Sequence, residues 1–360
     1  MSHWQGLAHP DATRDRCQRL LPPQSHSATA AWSASRLGWG TLPGELKNIV
    51  DSKIERALGQ VLAGGVNVLD TSPAYRHRRS QAAVGRALRQ ELEAGRVRRQ
   101  ELVLCTHAGW IAFDRQEEDA RSLLEREVFP ATGLEMGDLV GQVWSLHPAW
   151  IRHQLELARN LVGVEAFDLL VLDAPETGLK AWTKEHWRNE LLRAFSCLEE
   201  LKGEGLIGAY GLCSVDGFRA DDEGRGLLDV EELLRLARRA GGEGHSLKAL
   251  QMPYSLGALD LLNLRMGTGE LRAVARQAGL WLAGLLPLGQ GQLVHGLPTA
   301  LRQLMPDLSP PQQALEVLLS TEGLDCVVTG MKTREHIAEN VALLQKQRLE
   351  PAAWASLFSA

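Results

Sequence analysis

The chain is 360 residues long, 44% hydrophobic, and carries a net charge of −5. It can bury a full core, lacks the basic stripe that a nucleic-acid surface needs, and has no apolar run near the ~20 residues of a membrane-spanning helix. Its five cysteines, Cys17, Cys105, Cys197, Cys213 and Cys326, are scattered without a C-x-x-C pair, the pattern of reduced thiols in a cytoplasmic protein.

Met1 to Ser33 is polar, rich in His, Pro and Ser, and lacks the apolar stretch of a secretory signal; residues 1–34 read as a loose, poorly ordered arm. From there short apolar runs alternate with amphipathic helical patterns. The runs lie at Leu37 to Gly40, Val66 to Leu69, Leu102 to Cys105, Leu169 to Leu172, Ile207 to Leu212, Leu247 to Gln251, Leu280 to Leu285 and Leu324 to Val328. Between them Ile54, Leu58, Val61 and Leu62 share a helix face, as do Val84, Leu88 and Leu92, and later Leu233, Leu234 and Ala237. Ser309-Pro310-Pro311-Gln312 reads as an N-cap, a first-turn proline and a capping-box partner. Repeated strand–helix units predict parallel strands with right-handed crossovers. Eight such units close into an α/β fold of the (β/α)8 TIM-barrel type, which at ~250 residues or more forms one domain. Residues 35–350 are assigned to the barrel and 351–360 to a tail. Trp110 to Ala149, after strand three, and Gly178 to His186 break the alternation as insertions. Loops after strands border a barrel's active face, so both are expected to shape a pocket.

Polar residues follow strand after strand: Asp70 and Tyr75, Thr106 and His107, Asp173, Cys213 and Ser214, and Gln251. In a barrel these ends converge, which points to an enzyme site.

Four motifs in order resemble the aldo-keto reductase family across roughly Leu37 to Leu344. They are Gly65-Val66-Asn67-Val68-Leu69-Asp70-Thr71 with Tyr75 and Val84 to Leu88; Leu198 to Leu201 with Gly205 to Leu212; Pro287-Leu288-Gly289-Gln290-Gly291; and Gly330-Met331-Lys332 through Glu339-Asn340. The resemblance implies a barrel that binds NADP or NAD without a Rossmann fold and transfers hydride to carbonyls. It implies a catalytic tetrad of Asp, Tyr, Lys and His. Asp70 and Tyr75 match; His107 stands at the lysine position and Asp173 at the histidine position. A phenol of pKa ~10 needs a nearby cation to release its proton near neutrality. His107 supplies that cation only when protonated, which adjacent carboxylates favour.

Three readings follow: an NAD(P)H-dependent oxidoreductase with a rewired proton relay through Asp70, Tyr75, His107 and Asp173; a non-redox isomerase or lyase using the same groups; and an impaired barrel retained for binding or regulation. By resemblance Ser214 and Gln251 hold the nicotinamide amide, Leu285 covers its ring, and Pro287, Leu288, Gly289 and Gly291 lie over the pyrophosphate. Gly330, Met331, Lys332, His336, Glu339 and Asn340 lie at the adenosine end, with Lys332 favouring NADP. Trp39, Trp110 and Trp144 are assigned to the pocket wall. Arg76 to Arg79 form a cationic run that could receive an anionic substrate. No metal is expected, since His147, His153 and His245 lack ligand spacing and no cysteine cluster exists. The partner is a small carbonyl or alcohol, not nucleic acid or membrane; oligomeric state is left open.

Overall fold

The computed structural model describes residues 3–42, 44–112, 119–219, 228–266, 269–295 and 297–357. Eight parallel strands close into a barrel in sequence order. We number them β1 (Leu37–Gly40), β2 (Val68–Asp70), β3 (Val103–Ala108), β4 (Phe167–Asp173), β5 (Ile207–Cys213), β6 (Leu247–Pro253), β7 (Trp281–Leu285) and β8 (Cys326–Thr329). Every expected strand is present. β2 starts two residues later than its apolar run; there the Asn67 backbone N–H donates to Ser35 Oγ at 3.1 Å, while its side chain accepts from Ser35 N at 2.8 Å and donates to Ser33 O at 2.9 Å.

Side chains alternate along a strand. The inward set is small and apolar, including Val68, Cys105, Leu169, Val171, Ala209, Ala249, Ala283 and Val328. The outer faces pack against helices such as Asn48–Ala63, Arg79–Glu93 and Pro148–Val162. Two of those helices touch where Gly85 lies: a Cβ there would sit 2.2 Å from Leu161 O, so only glycine fits. The Ser309–Gln312 capping box closes both of its bonds at the start of helix Pro310–Leu319.

The N-terminal segment is not a loose arm. Pro10–Leu20 is a helix, and His26–Ala28 pairs with Ser33–Ser35 as an antiparallel hairpin. The hairpin brings Trp32 edge-on to Trp281, with ring centroids 6.4 Å apart, and both rings are buried. The buried Arg16 donates to Leu62 O. The segment stays ordered because it seals the apolar end of the barrel opposite the strand C-termini, a function its polar composition hides. At the other end of the chain Pro351–Ser356 forms a short helix.

The insertion after β3 builds a small core of its own from Ile111, Leu123, Leu124, Val128, Leu134 and Trp150. Its residues 113–118 lie outside the described set. The second insertion is largely helical, as helix Glu176–Ala181 and the start of helix Lys184–Gly203. No helix among the described residues is long and apolar enough to cross a membrane.

Candidate active site

The site follows from strand alternation. Val68, Cys105, Val171 and Ala249 point into the barrel. Two residues further along each strand stand Asp70, His107, Asp173 and Gln251, which therefore point the same way and form the last interior layer. Cys213 ends β5 and pairs in register with Asp173 and Gln251.

His107 lies between two carboxylates. Its Nδ1 is 2.7 Å from Asp173 Oδ1 and its Nε2 is 3.0 Å from Asp70 Oδ2. Only the imidazolium donates from both nitrogens. Burial alone would lower its pKa, but attraction to Asp173 and Asp70 outweighs burial and holds it well above 6.5. The ring is closed off from solvent and has no N–H left for a substrate. His107 is thus a fixed cation rather than a direct proton donor.

Tyr75 is half-buried and sits on the loop after β2, with its backbone N–H bonded to Ser72 O at 3.0 Å. Its hydroxyl donates to Asp70 Oδ1 at 3.2 Å, and its ring centroid is 5.6 Å from that of His107. Burial, then Asp70 and Asp173, raise its pKa well above 10, so it is held as the neutral phenol. Asp70 also accepts from Gln251 Nε2 at 3.2 Å. The structure thus brings Asp70, Tyr75, His107 and Asp173 into one hydrogen-bonded cluster. Sequence reasoning missed that Gln251 holds Asp70; its position two residues past an inward alanine was the available signal.

The tryptophans correct the expected pocket wall. Trp39 is fully buried and donates to Met331 O at 2.8 Å. Trp144 is fully buried and donates to Asp173 O at 2.8 Å. Trp144 thereby braces the strand end that carries Asp173 and Trp39 the segment after β8, because an indole N–H in a core must find an acceptor. Trp110 is half-buried and pairs by backbone with Trp144. Trp182, not singled out from sequence, is half-buried and packs on Trp144 with centroids 5.8 Å apart.

The cationic run is likewise corrected. The buried Arg76 bonds Asp51 at 2.6 Å and Glu45 O at 2.7 Å. Arg78 pairs with Glu127 at 3.0 Å, and Arg79 pairs with Asp51. Arg76, His77 and Arg78 all have positive φ, and the ion pairs of Arg76, Arg78 and Arg79 tie down this strained turn.

Of the residues assigned to a cofactor, Ser214 is buried and its Oγ accepts from Gly217 N at 2.8 Å. Leu285 is half-buried beside the turn Leu286 to Gly291, where Leu286, Gly289, Gln290 and Gly291 have positive φ. Pro287 is buried and Leu288 half-buried. Met331 and Asn340 are buried, with Asn340 Nδ2 3.9 Å from Met331 Sδ. Gly330 and His336 are exposed; Glu339 is half-buried, and its carbonyl accepts from Gln312 at 2.8 Å. Lys332 is half-buried, and burial, with Arg76 and Lys53 nearby, lowers its pKa.

Comparison with known proteins matches residues 36–222 to the aldo/keto reductase family. The NADH-specific methylglyoxal reductase of Escherichia coli (strain K12) is 24% identical over 78% of this chain and 79% of its own length. An uncharacterized oxidoreductase of Bacillus subtilis (strain 168) is 23% identical over 86% of this chain and 85% of its own. Among solved structures, the holo form of an aldo-keto reductase from Bacillus halodurans superposes with a TM-score of 0.63 at 19% identity, covering 93% of this chain and 95% of that one. An aldo/keto reductase from Klebsiella pneumoniae in complex with NADP and acetate gives 0.61 at 18% identity, covering 92% and 94%. The matched stretch spans over half of the chain and carries both Asp70 and Tyr75, and the chain belongs to the aldo/keto reductase family.

Proposed function

We propose that this chain is an NAD(P)H-dependent reductase of small carbonyl compounds, in which Tyr75 gives the proton and the Asp70–His107–Asp173 cluster supplies the neighbouring cation. The observation that carries this reading is the shared Asp70: one carboxylate oxygen accepts from Tyr75 and the other from His107. A proton lost from the phenol is therefore lost beside a group already bonded to the cation. That arrangement replaces direct lysine–tyrosine contact with contact through a carboxylate. It is a weaker activator, since Asp70 itself disfavours the phenolate.

The residues present fit a nicotinamide cofactor. Gln251 Oε1 is buried with no partner among the described residues, an acceptor suited to a carboxamide N–H. Ser214 stands beside it at the end of β5. The positive-φ turn after β7 is where barrels often bind phosphate, and Lys332 suits a ribose phosphate, favouring NADP over NAD. When bound, the cofactor supplies hydride. The chain orients the carbonyl at Tyr75, holds the imidazolium fixed, and braces Asp173 through the Trp144 indole. The five cysteines are free and buried, which fits a cytoplasmic protein.

The test is oxidation of NADPH and NADH against a panel of aldehydes and ketones. Tyr75→Phe is expected to lower kcat by about a hundredfold or more, the typical worth of a positioned proton donor. Turnover unchanged in Tyr75→Phe would remove Tyr75 from its role. Cofactor binding with no turnover of any carbonyl would favour a binding or non-redox function.

A further inference from the structure

We propose that His107, Asp173 and Cys213 form a binding site for a divalent transition-metal ion of the zinc class at the mouth of the barrel. The three side chains come from β3, β4 and β5, and one ligand atom from each lies within 4.8 Å of the others. No short-range spacing announces such a site, because barrel closure alone brings the three together. The donor set is one imidazole nitrogen, one carboxylate oxygen and one sulfur, which zinc accepts in four-coordinate geometry. Three protein ligands leave a fourth position for a water or a substrate oxygen, the pattern of catalytic rather than structural zinc.

Two further observations support the assignment. Asp70 Oδ2 lies 3.0 Å from His107 Nε2. A carboxylate on the far nitrogen of an imidazole fixes the tautomer and leaves Nδ1 as the ligand, as in carboxylate–histidine–metal triads. Second, the donor groups are already gathered: His107 Nδ1 and Asp173 Oδ1 lie 2.7 Å apart, and Cys213 hydrogen-bonds to the same Asp173. Metal binding at such a site displaces protons to solvent. Asp173 and Cys213 each keep 7–8% of their surface open, whereas His107 keeps 1%, so an ion enters from the Asp173–Cys213 side. An ion so held replaces the Nδ1 proton of His107, takes over as the cation beside Asp70 and Tyr75, and offers a Lewis acid to a carbonyl oxygen. Binding itself does not depend on a nicotinamide or on turnover.

The experiment uses the full chain, stripped with chelator, dialysed against zinc or cobalt(II), and analysed for bound metal. We expect about one ion per chain, with a near-ultraviolet cobalt–thiolate absorption band. Cys213→Ser, with unchanged far-ultraviolet circular dichroism, should abolish the band and weaken binding at least about tenfold; Asp173→Asn should weaken it comparably. Wild type retaining no stoichiometric metal, or Cys213→Ser keeping both band and stoichiometry, overturns the site in favour of a closed hydrogen-bond network. If Asp173→Asn does not fold, Cys213→Ser decides alone. Absence of binding leaves the reductase reading standing, and a bound ion without carbonyl turnover leaves the metal site standing.

Discussion

His107 carries the largest consequence of any single residue. Removing one partner of a buried ionic cluster leaves uncompensated charge behind, typically worth 3–5 kcal/mol. His107→Gln in chelator-treated protein leaves Asp70 and Asp173 facing a neutral amide in a closed site. We expect a loss of about 3 kcal/mol in unfolding free energy, read by urea denaturation with an unchanged slope. A loss under about 0.5 kcal/mol, the ordinary range for a surface substitution, would mean that no buried cation ties the cluster together. The same logic couples His107 to Asp173. A histidine at position 107 needs anions on both nitrogens, and Asp173 provides the second one.

Among the elements, the turn joining β2 to helix Arg79–Glu93 is held against its own preference. Three consecutive non-glycine residues, Arg76 to Arg78, take left-handed φ of 50°, 53° and 69°, which disfavours each by roughly 1–2 kcal/mol. Asp51, on helix Asn48–Ala63, offsets this by binding both Arg76 and Arg79. Burial would raise the Asp51 pKa, but the bonds from Arg79 and Arg76 win and hold it below 3.8. A carboxyl depressed in the folded state stabilises above its unfolded pKa of ~3.9, and that stabilisation is lost as pH falls through the folded value. Asp51→Asn should therefore cost about 3 kcal/mol at neutral pH. The gap to wild type should narrow only below about pH 4, as followed by denaturation between pH 2 and 7. A gap that stays constant to pH 2 would show that the ion pairs do not hold the turn. Because this turn carries Tyr75, the variant should also lose carbonyl turnover.

For the whole molecule, the strand–helix alternation was legible because period-2 and period-3.6 patterns are local. All eight strands stand where their apolar runs lie, within two or three residues. Asp70, Tyr75, His107 and Asp173 were legible as a group because strand ends in a barrel must converge. Trp39 and Trp144 were misread because sequence does not say which face of an indole meets Met331 O or Asp173 O. The N-terminal segment was misread for a related reason. Its composition is polar, yet a single Trp32 on a hairpin closes the barrel against Trp281. The ion pairs of Arg76, Arg78 and Arg79 are not legible in the run itself because their partners, Asp51 and Glu127, are distant in the chain. These are tertiary facts, set by what packs against what.

The account rests on hydride reaching a carbonyl bound against Tyr75, and isotope transfer tests that most directly. Reduced NADP carrying deuterium at the transferable position, incubated with the full chain and a small aldehyde, is expected to yield alcohol labelled at the former carbonyl carbon. Alcohol formed without label, or no alcohol from a protein that binds the cofactor, would contradict the reductase assignment.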